Sequence, residues 1–112
     1  MGLAVALLLS LFSTQRALAQ PPGNDNCANA TPIACGGSAS GNTSTATVDG
    51  PAGCVGTAND VWYTIVGTGG NITASLCGSS YDTQLDIFTG TCTALTSIAC
   101  NDDFCGLQSQ LT

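Results

Sequence analysis

The chain has 112 residues, and its charged side chains are seven aspartates and one arginine, Arg16, with no histidine. Neutralising phosphates requires Lys or Arg, so this composition argues against nucleic-acid binding and against attraction to anionic membranes. Without histidine it also argues against Ser-His-Asp and Cys-His catalysis. A hydrophobic fraction of 44% with few charges is typical of a folded chain.

The chain begins with an apolar run over 3–12, followed by Ala17-Leu18-Ala19. This length and the small-x-small pattern predict a secretory signal peptide over 1–19, cleaved after Ala19. A run this short covers roughly half of a bilayer core, which argues against a membrane anchor. We therefore expect a secreted protein, extracellular or at the cell surface, with no membrane insertion after cleavage and no basic residue in the mature chain.

An entry segment, 20–26, is rich in Pro, Gly and Asn and is expected to be extended and exposed. Short β-like runs alternating with turn-rich stretches follow it, and no segment carries a helical period longer than one turn. The runs are 43–48, 60–66, 71–77, 84–89, 95–100 and 106–112. This pattern predicts an all-β domain over 27–112, a small, disulfide-stabilised, jelly-roll-like antiparallel β-sandwich. The last run stops without a turn, which suggests that the domain is incomplete and that the natural chain continues past Thr112.

All seven cysteines lie beyond the predicted cleavage site, and in a secreted chain of this size they predict a disulfide framework. A metal site is disfavoured because the chain has no C-x-x-C motif and no histidine. Cys92 and Cys100 flank a short turn and are the first predicted pair, with Cys77–Cys105 as the second. An odd count leaves one thiol free or paired outside these residues. The cysteines are Cys27, Cys35, Cys54, Cys77, Cys92, Cys100 and Cys105.

The stretch from Asp60 onwards combines an aromatic W-Y-x strand, a Gly turn, an alternating strand, D-T-x-L-x-I-F and an N-D-D turn. It resembles the bacterial pre-peptidase C-terminal (PPC) type of β-sandwich and its cysteine-rich secreted relatives, and the opening NDNCANATPI is similar to their entry segment. The resemblance implies an accessory module of secreted proteases or surface proteins that binds matrix or polysaccharide; some relatives bind calcium. This chain departs from the simple PPC pattern because it has many cysteines and lacks the final strands of that pattern.

The carboxylates are the first candidates for chemistry, but they do not suggest catalysis. Asp82 and Asp86 are four residues apart on a predicted strand, roughly 13 Å, which is too far for glycoside hydrolysis. The Asp82-Thr83-Gln84 sequence lacks the Gly of the aspartic-protease motif. No catalytic residue is therefore predicted, and we expect that the chain is not an enzyme.

Calcium is the better functional interpretation of these residues, because it prefers oxygen ligands. Asn101, Asp102 and Asp103, together with Asp82 or Asp86, would supply them if their turns converge. Calcium is the only predicted cofactor. The alternative is that these side chains cap turns through hydrogen bonds to the backbone. Asp25 is a further, weaker candidate ligand.

Among the aromatic residues, Tyr81 and Phe104 fall in turns and are the candidates for ligand binding, whereas Trp62 and Phe88 are expected in the core. Three N-x-S/T sequons, at Asn29, Asn42 and Asn71, would be glycosylation sites in a eukaryotic secretory route.

These features predict a non-catalytic secreted accessory or adhesion module that binds extracellular polysaccharide or protein. The alternative is the N-terminal piece of a larger secreted hydrolase or protease whose catalytic domain follows residue 112. A third class is a small stand-alone secreted protein.

Overall fold

The structure, a computed structural model, describes residues 17–112, so most of the predicted signal peptide lies outside the described residues. A short 3-10 turn at Cys27–Asn29 is the one helical element in this part of the chain. The remaining elements are six strands, β1 Thr31–Pro32, β2 Tyr63–Thr64, β3 Ala74–Ser75, β4 Leu85–Thr91, β5 Ala94–Asn101 and β6 Gln110–Leu111. The predicted all-β, disulfide-stabilised class is confirmed. Over 17–112, no helix has the length and apolar character needed to cross a membrane.

The strands form three two-stranded sheets. Strands β3 and β6 pair antiparallel, as do β4 and β5. The first pair is parallel, with Thr31 of β1 opposite Tyr63 of β2, and β1 had not been predicted as a strand. Most of the predicted runs become strands, although those at 60–66, 71–77 and 106–112 are shortened to two residues each.

The strand predicted at 43–48 is wrong, because side-chain hydrogen bonds replace a β-ladder there. The Ala46 amide donates to the Thr43 carbonyl oxygen over 3.1 Å, which closes a turn. The carboxylate of Asp25 accepts the amide N–H of Thr47 over 2.6 Å and its hydroxyl over 2.8 Å. Local side-chain bonds of this kind compete with sheet pairing.

The β4–β5 hairpin is the longest regular element, and its loop is Cys92 and Thr93. Next to the loop, Gly90 has a φ of 99°, and a Cβ there would collide with the carbonyl oxygen of Ala94. Only glycine adopts this conformation without strain. The register shifts between Ile87 and Phe88, which leaves Ile98 as the extra residue of a β-bulge.

Disulfide bonds join Cys27 to Cys92, Cys54 to Cys100, and Cys77 to Cys105. The predicted Cys77–Cys105 pair is present. The predicted Cys92–Cys100 pair is wrong, because the whole extended strand β5 separates the two residues by roughly 26 Å, whereas bridged Cα atoms lie within about 7 Å. The seventh cysteine, Cys35, is exposed and forms no disulfide bond within residues 17–112.

The described residues bury very little apolar surface. Ala46 is their one buried hydrophobic residue, whereas the buried polar residues are Asp25, Thr83 and Ser109. Trp62 and Phe88, expected in the core, are half-buried and contact each other with ring centroids 5.8 Å apart. Disulfide bonds and buried hydrogen bonds therefore supply much of the stability that an apolar core supplies in larger domains.

Candidate functional site

The candidate site is organised around Ser109, which is completely buried, with 0% exposure. Its hydroxyl lies within hydrogen-bonding distance of the carbonyl oxygens of Thr83 and Asp102. Its amide donates to the Thr83 hydroxyl over 3.0 Å, and its carbonyl oxygen accepts the Leu76 amide over 2.8 Å. Ser109 thus joins the segment that precedes β4 to the turn that follows β5.

This junction brings together three carboxylates, which we call the acidic cluster: Asp82, Asp102 and Asp103. One oxygen from each lies within 4.8 Å of the others. Asp82 and Asp103 are exposed and Asp102 is half-buried. Desolvation raises the pKa of Asp102, and the negative charges of Asp103 and Asp82 raise it further. Residues 17–112 contain no Lys, Arg or His, so neutralisation of the cluster requires a cation or protons from the solvent.

Two other predicted calcium ligands do not join the acidic cluster. Asp86 lies beside the Cys54–Cys100 disulfide and accepts a hydrogen bond from the Gln84 side chain over 2.8 Å. The predicted alternative of Asp86 as a ligand is therefore wrong for this site. The half-cystine sulfurs near Asp86 carry no thiolate, so that group is not a metal site either.

Asn101 belongs to the same turn but has a different role. Its Oδ1 accepts the Gln110 amide over 3.0 Å, and its Nδ2 donates to the Asp103 carbonyl oxygen over 3.5 Å. Asn101 therefore shapes the turn and has its side-chain oxygen already engaged. Asp25 is the weaker candidate ligand. Both of its carboxylate oxygens accept hydrogen bonds from Thr47, so it stabilises the backbone of that loop.

The two aromatic candidates lie next to the acidic cluster in the chain. Tyr81 is 46% exposed and precedes Asp82, and Phe104 is 63% exposed and follows Asp103. Both are held by Gln108, whose side chain donates to the Tyr81 carbonyl oxygen over 3.3 Å. The Gln108 carbonyl oxygen accepts the Phe104 amide over 2.8 Å. The sequence predicted these aromatic residues separately, and the structure places both beside the carboxylates.

The three sequon asparagines, Asn29, Asn42 and Asn71, have exposed side chains. Asn42 Oδ1 accepts the Ser44 amide over 2.8 Å, which closes a local turn. Glycan attachment at these positions stays a prediction.

No family model, curated protein or solved structure matches the chain. The resemblance to the PPC type therefore stays a prediction that depends on the motifs given above. Function is inferred here from the acidic cluster and the residues around it.

The arrangement of the acidic cluster is suited to binding a cation. Its carboxylates approach one another closely on an open surface, and two of the three side chains are exposed. Hydrolytic carboxylate pairs function in clefts that hold the substrate and limit access of water. The cavities beside Cys35, lined by Ile33, Val66 and Thr68 among others, contain none of the acidic residues.

Proposed function

We propose that the chain is a non-catalytic secreted accessory or adhesion module with a calcium site at the acidic cluster. Bound calcium orders the surface formed by Tyr81 and Phe104, which binds extracellular polysaccharide or matrix protein. The observation that carries this proposal is the convergence of three carboxylates within 4.8 Å in a region without any basic side chain.

Calcium fits this donor set better than zinc and other softer metals do. It accepts six to eight oxygen ligands in flexible geometry, and carboxylates on exposed loops are typical donors. Zinc and other softer metals favour histidine and thiolate ligands. Residues 17–112 contain no histidine, and six of the seven cysteines are in disulfide bonds. Main-chain carbonyl groups and water would complete the coordination.

Secretion is supported by the disulfide bonds as well as by the predicted signal peptide. Bonds of this kind form and persist in oxidising, extracellular-type environments. Extracellular calcium is present at millimolar concentration, and modules of this type bind it with dissociation constants of roughly 10⁻⁴ to 10⁻³ M. A site with three carboxylates on open loops is therefore suited to binding calcium at the concentrations found outside the cell.

Calcium is expected to raise the melting temperature of the protein, and Asp102→Asn or Asp103→Asn should abolish this effect. Ligand at ten times its dissociation constant stabilises the folded state by about 1.4 kcal/mol. Differential scanning calorimetry with calcium or with a chelator measures the shift, and isothermal titration measures the binding heat.

Asp86→Asn is the matched control, because it removes one negative charge outside the acidic cluster. We expect this variant to keep the calcium response of the unchanged protein. No heat and no melting shift at millimolar calcium would refute the proposed site.

Tyr81→Ala is expected to weaken binding to extracellular ligands at least tenfold without loss of stability. Tyr81 is about half exposed, and aromatic rings supply much of the contact energy in binding sites. Retention on insoluble cellulose, on chitin and on immobilised collagen, each with and without calcium, measures the effect. Ile98→Ala removes another exposed apolar side chain, 60% exposed on β5, and serves as the control. Equal retention of both variants would argue against Tyr81 as a contact.

A further inference from the structure

The proposed calcium site does not use the aspartates around Trp62. Asp49 forms hydrogen bonds to two distant residues. Its Oδ2 accepts the Cys27 amide over 3.0 Å, and its Oδ1 accepts the indole N–H of Trp62. The Trp62 backbone is also bound to the entry segment. Its amide donates to the Asn24 carbonyl oxygen over 2.9 Å, and its own carbonyl oxygen accepts from the Asn24 side chain over 2.9 Å.

Asp60 comes close to Asp49 through a hydrogen bond to the next residue in the chain, Gly50. Its Oδ2 accepts the Gly50 amide over 3.0 Å, and its own amide donates to the Thr47 carbonyl oxygen over 3.2 Å. Its Oδ1 is buried and has no hydrogen-bond partner among the described residues. The chain approaches closely at Gly50, where a Cβ would lie 2.8 Å from Asp60 Oδ2 and 3.0 Å from the Trp62 ring.

A buried carboxylate oxygen without a partner beside a second carboxylate is an unfavourable arrangement when both groups are ionised. Residues 17–112 offer no basic side chain to compensate. Asp49 is the group whose charge acts on Asp60. Asp25 faces the same loop through Thr47, and both of its carboxylate oxygens already accept hydrogen bonds from that residue.

We propose that Asp49 and Asp60 share one proton and form a pH-dependent switch that holds Trp62 and Cys27 in place. With Asp60 protonated, its hydroxyl donates to Asp49, and a repulsive contact between two acceptors becomes a hydrogen bond. Because the two groups interact, the proton belongs to the pair and not to one residue. This switch is separate from the acidic cluster and does not depend on the proposed calcium site.

The electrostatic surroundings agree with this geometry. Burial raises the pKa of Asp60 most, the Gly50 amide opposes this, and the neighbouring carboxylate of Asp49 raises the pKa further. A carboxyl whose pKa is raised in the folded state stabilises the fold at low pH, and this contribution is lost as the pH rises through the raised pKa. Above that pH the two negative charges repel, and the hold of Asp49 on Trp62 and Cys27 weakens.

Trp62 is the only tryptophan in the chain, so tryptophan fluorescence reports only on the surroundings of Trp62. The experiment is a titration of tryptophan emission from pH 3 to 8, with disulfides intact and a calcium chelator present. We expect one transition with a midpoint above about 3.9, the value for an unperturbed aspartate. Asp60→Asn should abolish the transition, because its amide donates permanently to Asp49, whereas Asp86→Asn should keep it.

The melting temperature supplies a second readout. At pH values above the transition midpoint, we expect Asp60→Asn to have a higher melting temperature than the unchanged protein. Below the midpoint the two melting temperatures should be equal. Constant emission of the unchanged protein from pH 3 to 8, or a transition that persists in Asp60→Asn, would overturn the proposal. If Asp60→Asn does not fold, Asp49→Asn takes its place: the transition midpoint should fall when the neighbouring charge is removed, and an unchanged midpoint would contradict a shared proton.

Discussion

Replacement of Cys27 and Cys92 together by serine is expected to lower the free energy of unfolding by about 4 kcal/mol. The bond joins residues 65 positions apart, the widest separation among the three disulfides. A long closed loop restricts the unfolded chain most strongly. Only Ala46 among the described hydrophobic residues is buried, so little apolar burial remains to offset the loss. We expect the variant to be largely unfolded at 37 °C.

Urea denaturation of the oxidised proteins measures this loss. Cys35→Ser is the matched control, because it removes an exposed sulfur that forms no disulfide bond within residues 17–112, and its stability should be unchanged. Serine at position 27 keeps the amide that donates to Asp49, so the double variant tests the covalent bond itself. A loss of less than 1 kcal/mol would mean that the Cys27–Cys92 bond contributes little to the stability of the fold.

Ser109→Ala is expected to lower the free energy of unfolding by about 2–3 kcal/mol, because several buried groups lose a hydrogen-bond partner. These groups are the hydroxyl and carbonyl oxygen of Thr83 and the carbonyl oxygen of Asp102. The same change should weaken calcium binding by roughly tenfold, as is typical when groups that orient metal ligands are removed. The loss of affinity follows because Ser109 holds the segments of Asp82 and Asp102 together.

Urea denaturation gives the stability change and isothermal titration gives the calcium affinity. Ser97→Ala, at an exposed position on β5, is the control and should change neither. A folded Ser109→Ala protein with the calcium affinity of the unchanged chain would show that the acidic cluster does not depend on this junction.

The sequence predicted one local element of the fold well, the β4–β5 hairpin. It follows from β-branched and apolar runs on both sides of a short turn; β4 begins one residue after its predicted run and ends two residues beyond it, and β5 is one residue longer at each end. The sequence also indicates that Asp102 and Asp103 lie in a turn, but their convergence with Asp82 was a condition of the calcium hypothesis and not a prediction. The signals for the hairpin and for the turn are local, since strand propensity and turn chemistry act over a few residues.

Features that depend on distant parts of the chain could not be predicted in this way. Ser109 looks like an ordinary polar residue of an alternating run, and only its tertiary contacts reveal a buried junction. Cys27–Cys92 joins residues 65 positions apart, so no local spacing indicates it. The 43–48 run has good strand propensity, but it forms no β-ladder, because Thr47 donates its amide and hydroxyl hydrogens to the distant Asp25 carboxylate.

The most direct test of calcium binding at the acidic cluster is a calcium titration of the ¹⁵N-labelled protein, followed through its backbone amide resonances. The account predicts saturable shifts concentrated at Asp82, Asp102, Asp103 and the adjacent Tyr81 and Phe104, with smaller shifts at Ser109. The resonances of amides near Asp49 and Asp60 should not shift at constant pH. Shifts spread evenly over all seven aspartates, or none at millimolar calcium, would contradict it.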